Sequence, residues 1–334
     1  MKRVGNLFQM IADYDNLQLA CWKASKGKRT KGEVRRFYEN IHEELTLLRN
    51  GILHEDIRIG DYHYFEISEP KKRQICAASF RERVLHHAII NIYGPYFDKY
   101  LISDTYACRK GKGSHKAVSR AQFFSSKNSF YLKLDIAKYF HSINHEVLVR
   151  LLEQKFKEKR FLGLLKRIIE SFEISTGRGV PIGNLTSQYF ANYYLGFLDH
   201  FIKEQLCIKS YVRYMDDFIV WSNNKNDLKD CLESIRRFVN SFLLLKLNNT
   251  VNLNYTSKGV SFLGYRVFPQ TIKLAKRSRD RFVKKYCIFE RQYLSNMWDE
   301  RELADHMSPL IAFTKHAGAK SFRNSVIQRF GAVS

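Results

Sequence analysis

Paired cysteines, prolines and long apolar runs are scarce in this sequence, and each shortage excludes a class of protein. The six cysteines (Cys21, Cys76, Cys108, Cys207, Cys231 and Cys287) form no CxxC pair and keep no ordered spacing to histidine. Neither a zinc site nor a disulfide framework is indicated, and a reducing cytoplasm fits. With five prolines in 334 residues and no low-complexity stretch, no flexible linker divides the chain. No apolar run approaches the roughly 20 residues of a spanning helix and no signal peptide opens the chain, so no membrane partner is expected. Acidic residues are also short, 33 against 56 lysines and arginines. The resulting formal charge of +23 exceeds what solubility requires and points to a polyanion, first of all nucleic acid.

What is present reads as an α+β fold. "GDYHYFEISEPKKRQICAAS", residues 60–79, alternates as a hairpin with Lys71, Lys72 and Arg73 near its turn, and a helical pattern starts at Phe80. "SFYLKLDIAKYFHSI" begins as a strand ending near Asp135 and turns helical. A Gly/Pro turn precedes a helix starting around Asn184 to Thr186, "SYVRYMDDFIVWSN" reads as two short strands, and "GVSFLGYRVF" as another hairpin. Beyond Lys276, two basic amphipathic helices are expected, interrupted near Asn296 and Gly318. Strands and helices are mixed without regular βαβ alternation, which argues for an antiparallel sheet.

The run "RYMDDFIVW" places two carboxylates inside a stretch that otherwise reads as a buried strand. Successive strand residues face opposite sides, so Asp216 and Asp217 can share a site only at a tight hairpin turn. Asp135, at the end of another strand, supplies a third carboxylate. Like charges at close range repel unless cations lie between them, and a pair of Mg²⁺ ions is the economical choice. Two such ions activate an attacking hydroxyl and stabilise a departing pyrophosphate, which is polymerase chemistry.

"YMDD" (Tyr214 to Asp217), "KLDIAKYF" (Lys133 to Phe140) and "GVPIGNLTSQ" (Gly179 to Gln188), in this order and spacing, resemble the palm of reverse transcriptases. "EPKKRQI" and "YACRKGKGSH" resemble fingers blocks of the bacterial branch, and "FLGYRV" the hairpin that grips the primer end. The resemblance implies a right-hand polymerase: fingers over residues 1–100, a palm over 101–270 with a fingers-type helical insertion around 146–178, and a short helical thumb over 271–334. It implies catalytic roles for Asp135, Asp216 and Asp217. Asp135 and Asp216 would be the direct metal ligands, with Asp217 beside them and the Ile136 backbone holding the second metal or the triphosphate. For the deoxynucleoside triphosphate it implies Lys71 and Arg73 as cations, with Lys71 and Lys72 able to exchange roles, Phe140 as the gate against a ribose 2′-hydroxyl, and Ile182 and Gly183. For primer and template it implies Tyr214, Met215, Arg109, Gly264 and Tyr265. Lys246 reads more as a surface lysine than as a proton donor to pyrophosphate.

Most reverse transcriptases carry Gln before the Gly of the fourth motif, where this chain has Ile182-Gly183. "PIGNLTSQ" instead resembles enzymes of diversity-generating retroelements. That likeness implies error-prone cDNA synthesis from a template RNA, with errors opposite adenine, to diversify a target gene. It also implies a small basic accessory variability protein as partner. A retron-type or group II intron-derived enzyme of ordinary fidelity, or a non-catalytic RNA-binding scaffold, are the alternatives. Basic segments at 26–31, 110–116, 155–160 and 273–285 offer phosphate contacts along a template.

Overall fold

The computed structural model describes residues 3–68 and 72–331. Two compact units comprise the chain, one made of Met1–Ser103, Asp135–Cys207 and Glu233–Asn249, the other of Asp104–Leu134, Ile208–Leu232 and Thr250–Ser334.

The first unit is built around the helix Phe80–Tyr100. Ser79 caps it by accepting the Glu82 amide at 3.4 Å, and Val84, Leu85, Ala88, Ile89, Tyr93 and Phe97 are buried along it. Apolar residues at this spacing form a stripe, which packs on the helices Tyr14–Ser25 and Leu185–His200. Phe97 meets Phe156 and Tyr193 with ring centroids 5.2 and 5.4 Å apart. The expected hairpin is present as β1 (Tyr62–Ile67) and β2 (Arg73–Ala78), paired antiparallel from Tyr62↔Ala78 to Ile67↔Arg73.

The second unit holds a four-stranded sheet. Its strands are β3 (Phe130–Asp135), β4 (Tyr211–Tyr214), β5 (Asp217–Ser222) and β6 (Asn252–Tyr255), in the order β4-β5-β3-β6. A central position explains the apolar run of β5: Phe218, Ile219, Val220 and Trp221 are consecutive and all buried, so both faces of the strand are covered. The helix Ser114–Lys127 packs Ala117, Val118, Ala121 and Phe124 into the same core, and the Trp221 indole donates to Ser125 Oγ at 3.1 Å. A second antiparallel sheet is formed by β7 (Val260–Phe262), β8 (Tyr265–Val267) and β9 (Ile272–Leu274).

Beyond Lys276 there are three helices rather than two: Lys276–Leu294, Glu300–Lys315 and Lys320–Phe330. The breaks expected near Asn296 and Gly318 are both complete, because each residue takes a left-handed φ (53° and 59°) that an α-helix does not accommodate. Asp299 then restarts the chain with a reciprocal capping box to Glu302. Among the described residues no helix is long and apolar enough to cross a membrane.

Candidate active site

In the second unit the hairpin β4–β5 closes through Met215 and Asp216, since Tyr214 pairs with Asp217. Met215 carries a φ of 57°, the positive value at the first central position that a two-residue hairpin turn of type II′ demands and that a side chain adopts only under strain. Arg213, fully buried, braces it by donating from Nη1 to the Met215 carbonyl at 3.0 Å. Its backbone pairs with Asp104 and Tyr106, both at 3.0 Å. The two aspartates are therefore not equivalent. Asp216 lies in the turn, whereas Asp217 is the first residue of β5.

Asp217 has a specific partner. Lys133 Nζ, on β3, lies 3.0 Å from Asp217 Oδ2 and donates to the Ser261 carbonyl at 2.8 Å, with both side chains of the ion pair about a quarter exposed. Lys133→Met is expected to slow single-turnover primer extension about fivefold, the ~1 kcal/mol typical of a partly exposed pair that orients a carboxylate. An unchanged rate would remove Lys133 from this role.

Asp135 is the last residue of β3, the strand that neighbours β5 in the sheet. Asn248 donates its amide to the Asp135 carbonyl at 2.8 Å and brings Nδ2 to 3.4 Å from Asp135 Oδ2. Ile136, buried, forms an antiparallel bridge with Leu247, and the Ala137 amide donates to the Lys246 carbonyl at 2.9 Å. The bridge thus runs through the Asp135 carbonyl and the Ala137 amide, not through the Ile136 carbonyl. It also sets Lys246, exposed, on the segment opposite Asp135, a placement that its surroundings in sequence do not disclose.

The residues expected to bind the nucleotide lie in the first unit. The Phe140 carbonyl accepts the Val180 amide at 2.9 Å, and the Ile182 carbonyl accepts the Cys76 amide of β2 at 2.8 Å. Phe140 and Ile182 are both half-buried. Gly183, at φ 130°, presses on β2 so closely that a Cβ there would sit 2.9 Å from Ile75 Cγ2 and 3.0 Å from the Cys76 carbonyl oxygen. Arg73 opens β2 with an exposed side chain, and Lys72 pairs with Glu66 at 2.9 Å. Lys71 lies outside the described residues.

Of the primer and template candidates, Arg109 donates to the Thr105 carbonyl at 3.0 Å, and Thr105 bridges Arg213, so the loop carrying Arg109 is tied to the turn of Tyr214 and Met215. Burial, followed by the neighbouring Cys108, pushes the Tyr214 phenol above its usual range. Gly264 (φ 85°) closes the β7–β8 turn, and its carbonyl accepts Ser278 Oγ at 2.7 Å. Tyr265 differs from the others: it is fully buried, donates to the Phe313 carbonyl at 2.8 Å and stacks on that ring at 4.6 Å. Its side chain supports the turn from within the core. Lys133, Asn248 and Arg213 were missed by sequence reasoning. Only Lys133 left a signal, since it stands two residues before Asp135 on one face of a strand.

An antiparallel sheet that offers an aspartate turn beside a strand ending in aspartate defines the palm of a right-hand polymerase. Residues 67–267, more than half of the chain, match the reverse transcriptase (RNA-dependent DNA polymerase) family. The chain belongs to that family and is by class an RNA-directed DNA polymerase, which implies dependence on a divalent metal. Protein YkfC of Escherichia coli is 21% identical over 307 residues, covering 77% of this chain and 79% of that protein. The group II intron-encoded protein LtrA of Lactococcus lactis subsp. cremoris is 19% identical over 329 residues, covering 76% and 55%. The solved apo telomerase from Candida tropicalis shares the fold with a TM-score of 0.50 at 14% identity, covering 65% of this chain and 55% of that one. This chain thus spans about half the length of LtrA and of the telomerase.

Proposed function

We propose that this protein copies a template RNA into cDNA from deoxynucleoside triphosphates, with Asp135, Asp216 and Asp217 as the catalytic carboxylates, and that it does so with low fidelity in a diversity-generating retroelement. The fingers, palm and thumb divide near residues 100 and 270 in this reading.

The donor set suits Mg²⁺. Among the described residues no group of three or more His, Cys, Asp and Glu side chains stands as a ready metal cage. Mg²⁺ needs none, because it takes one or two carboxylates and fills its octahedron with water and substrate phosphates. The three aspartates and the Ile136 carbonyl, which the neighbouring bridge does not use, are hard oxygen donors for two such ions. When bound, the ions supply Lewis-acid activation of the primer hydroxyl and charge neutralisation at the pyrophosphate. The chain does the rest: Lys133 orients Asp217, Arg73 with Lys71 or Lys72 neutralises the triphosphate, and the Phe140 ring blocks a 2′-hydroxyl. Template RNA, the growing cDNA and an accessory variability protein are the partners of this reading, and six free cysteines suit a reducing cytoplasm.

One observation carries the low-fidelity assignment. Ile182, anchored by its carbonyl on β2, presents only a stiff apolar surface where related enzymes carry a glutamine able to donate and accept hydrogen bonds. Apolar contact alone separates substrates by only about 1–3 kcal/mol, whereas buried polar groups discriminate far more strongly. Ile182→Gln is expected to lower misincorporation opposite template adenine severalfold in a primer-extension error assay. An unchanged error spectrum would refute this account. The similarity to the intron-encoded protein LtrA favours the second reading, a group II intron-derived enzyme of ordinary fidelity. Purified wild-type protein with a low, base-independent error rate would establish it.

A further inference from the structure

The first unit contains a cavity of about 840 Å³ that includes none of the candidate catalytic, nucleotide or primer residues. Its size falls in the range of ligand sites. The wall is formed where the N-terminal segment pairs with the end of the helix His145–Lys155: Val4 donates to the Lys155 carbonyl at 2.9 Å and accepts the Lys157 amide at 2.8 Å. Four cations line it, Arg3, Lys99, Lys155 and Lys157. Arg3 is held in place by donating Nε and Nη2 to the Phe156 carbonyl at 3.3 and 3.0 Å.

The acid within the cavity lining, Glu204, is engaged by His200 Nδ1 at 2.5 Å, while His200 Nε2 meets the Tyr100 carbonyl at 2.9 Å. Lys99 and Lys157, both exposed, add positive charge to the rest of the wall. Consistent with that, burial and then Lys99 draw the Lys155 ammonium below its usual range. Alongside the cations stand the aromatic rings of Tyr96, Tyr100 and Phe197. Tyr100 is packed on Tyr193, Phe197 and His200, whereas the described ring contact of Tyr96 is a loose one, to Tyr93 with centroids 6.5 Å apart.

Cations interleaved with aromatic side chains are the combination that binds single strands, by phosphate contact and base stacking. A lipid surface would call for an exposed apolar rim, whereas here the aromatic rings stand among cations. We propose that this cavity is a second RNA site, which holds a single-stranded segment of the RNA away from the stretch being copied, with phosphates on Lys99 and Lys157 and a base on Tyr96. The inference rests on the RNA-templated reading only for the identity of the polymer.

The test uses the full chain, saturated with a short pre-annealed primer–template, and follows a fluorescein-labelled 12-nucleotide RNA by anisotropy. The double variant Lys99→Glu/Lys157→Glu, at two exposed positions, should weaken binding at least tenfold and reduce the slope of log K against log salt by about 1.4, at roughly 0.7 per lost single-strand contact. Tyr96→Ala should weaken it roughly fivefold or more. Extension of the short primer–template should stay at the wild-type rate in Tyr96→Ala and in Lys99→Glu alone. If that extension fails in the wild type, the polymerase reading falls and the binding data still decide the cavity. Unchanged RNA affinity and salt slope in both variants would overturn the proposal. So would complete displacement of the RNA by ATP at an equal nucleotide concentration, or binding of phosphatidylglycerol vesicles with the same dependence on Lys99 and Lys157.

Discussion

Asp216→Asn is expected to lower single-turnover primer extension by about 10³-fold or more, because the substitution removes charge at the position where the metal-bound transition state would need it. The side chain keeps its shape, so the turn should survive. Met215 and Asp216 form the two-residue link, the strain sits at Met215, and Arg213 braces the turn through the Met215 carbonyl rather than through the Asp216 carboxylate. Thermal melting and affinity for template RNA should accordingly stay close to wild type. Extension that persists in Asp216→Asn would exclude the catalytic assignment of Asp216. Loss of RNA affinity together with activity would instead show that the turn had collapsed, and Asp216→Glu, which keeps the charge but moves it, would then separate position from folding.

Gly183→Ala is expected to raise the KM for the incoming deoxynucleotide roughly tenfold and to lower the melting temperature by a few degrees. At φ 130° any side chain is strained by about 1–3 kcal/mol, before packing is considered. The added methyl would also meet the Cys76 carbonyl oxygen at 3.0 Å, and that oxygen belongs to the backbone of β2 and cannot swing aside as a flexible side chain could. The loop must retreat, stretching the hydrogen bond from the Cys76 amide to the Ile182 carbonyl. Through Val180 and its bond to the Phe140 carbonyl, the displacement reaches the other wall of the nucleotide group. Steady-state kinetics with a single nucleotide, read beside a melting curve, checks both halves. A KM equal to wild type in a folded Gly183→Ala protein would show that the contact with β2 does not position the nucleotide.

The limits of sequence reasoning are visible in these two sites. The hairpin around Asp216, the end of β3 at Asp135 and the β1–β2 pair were legible because alternation and turn chemistry are local properties, readable within ten residues. That Asp217 opens β5 instead of sharing the turn with Asp216 was not, because a one-residue shift of register decides which residue is in the turn. The third C-terminal helix was likewise hidden, since an interruption reads as a weak spot until φ at Asn296 and Gly318 shows the helix has stopped.

The sequence by itself determined which carboxylates are available, the cationic excess that suits a polyanion, and the apolar Ile182 before a glycine. Only the tertiary structure decided what holds those groups. Lys133 reaches Asp217, Asn248 reaches Asp135 from more than a hundred residues away, and Gly183 is notched against β2. The cavity walled by Val4 and Lys155 also joins segments remote in the chain. Contacts between such distant segments are chosen by packing and register, which no local pattern of residues encodes.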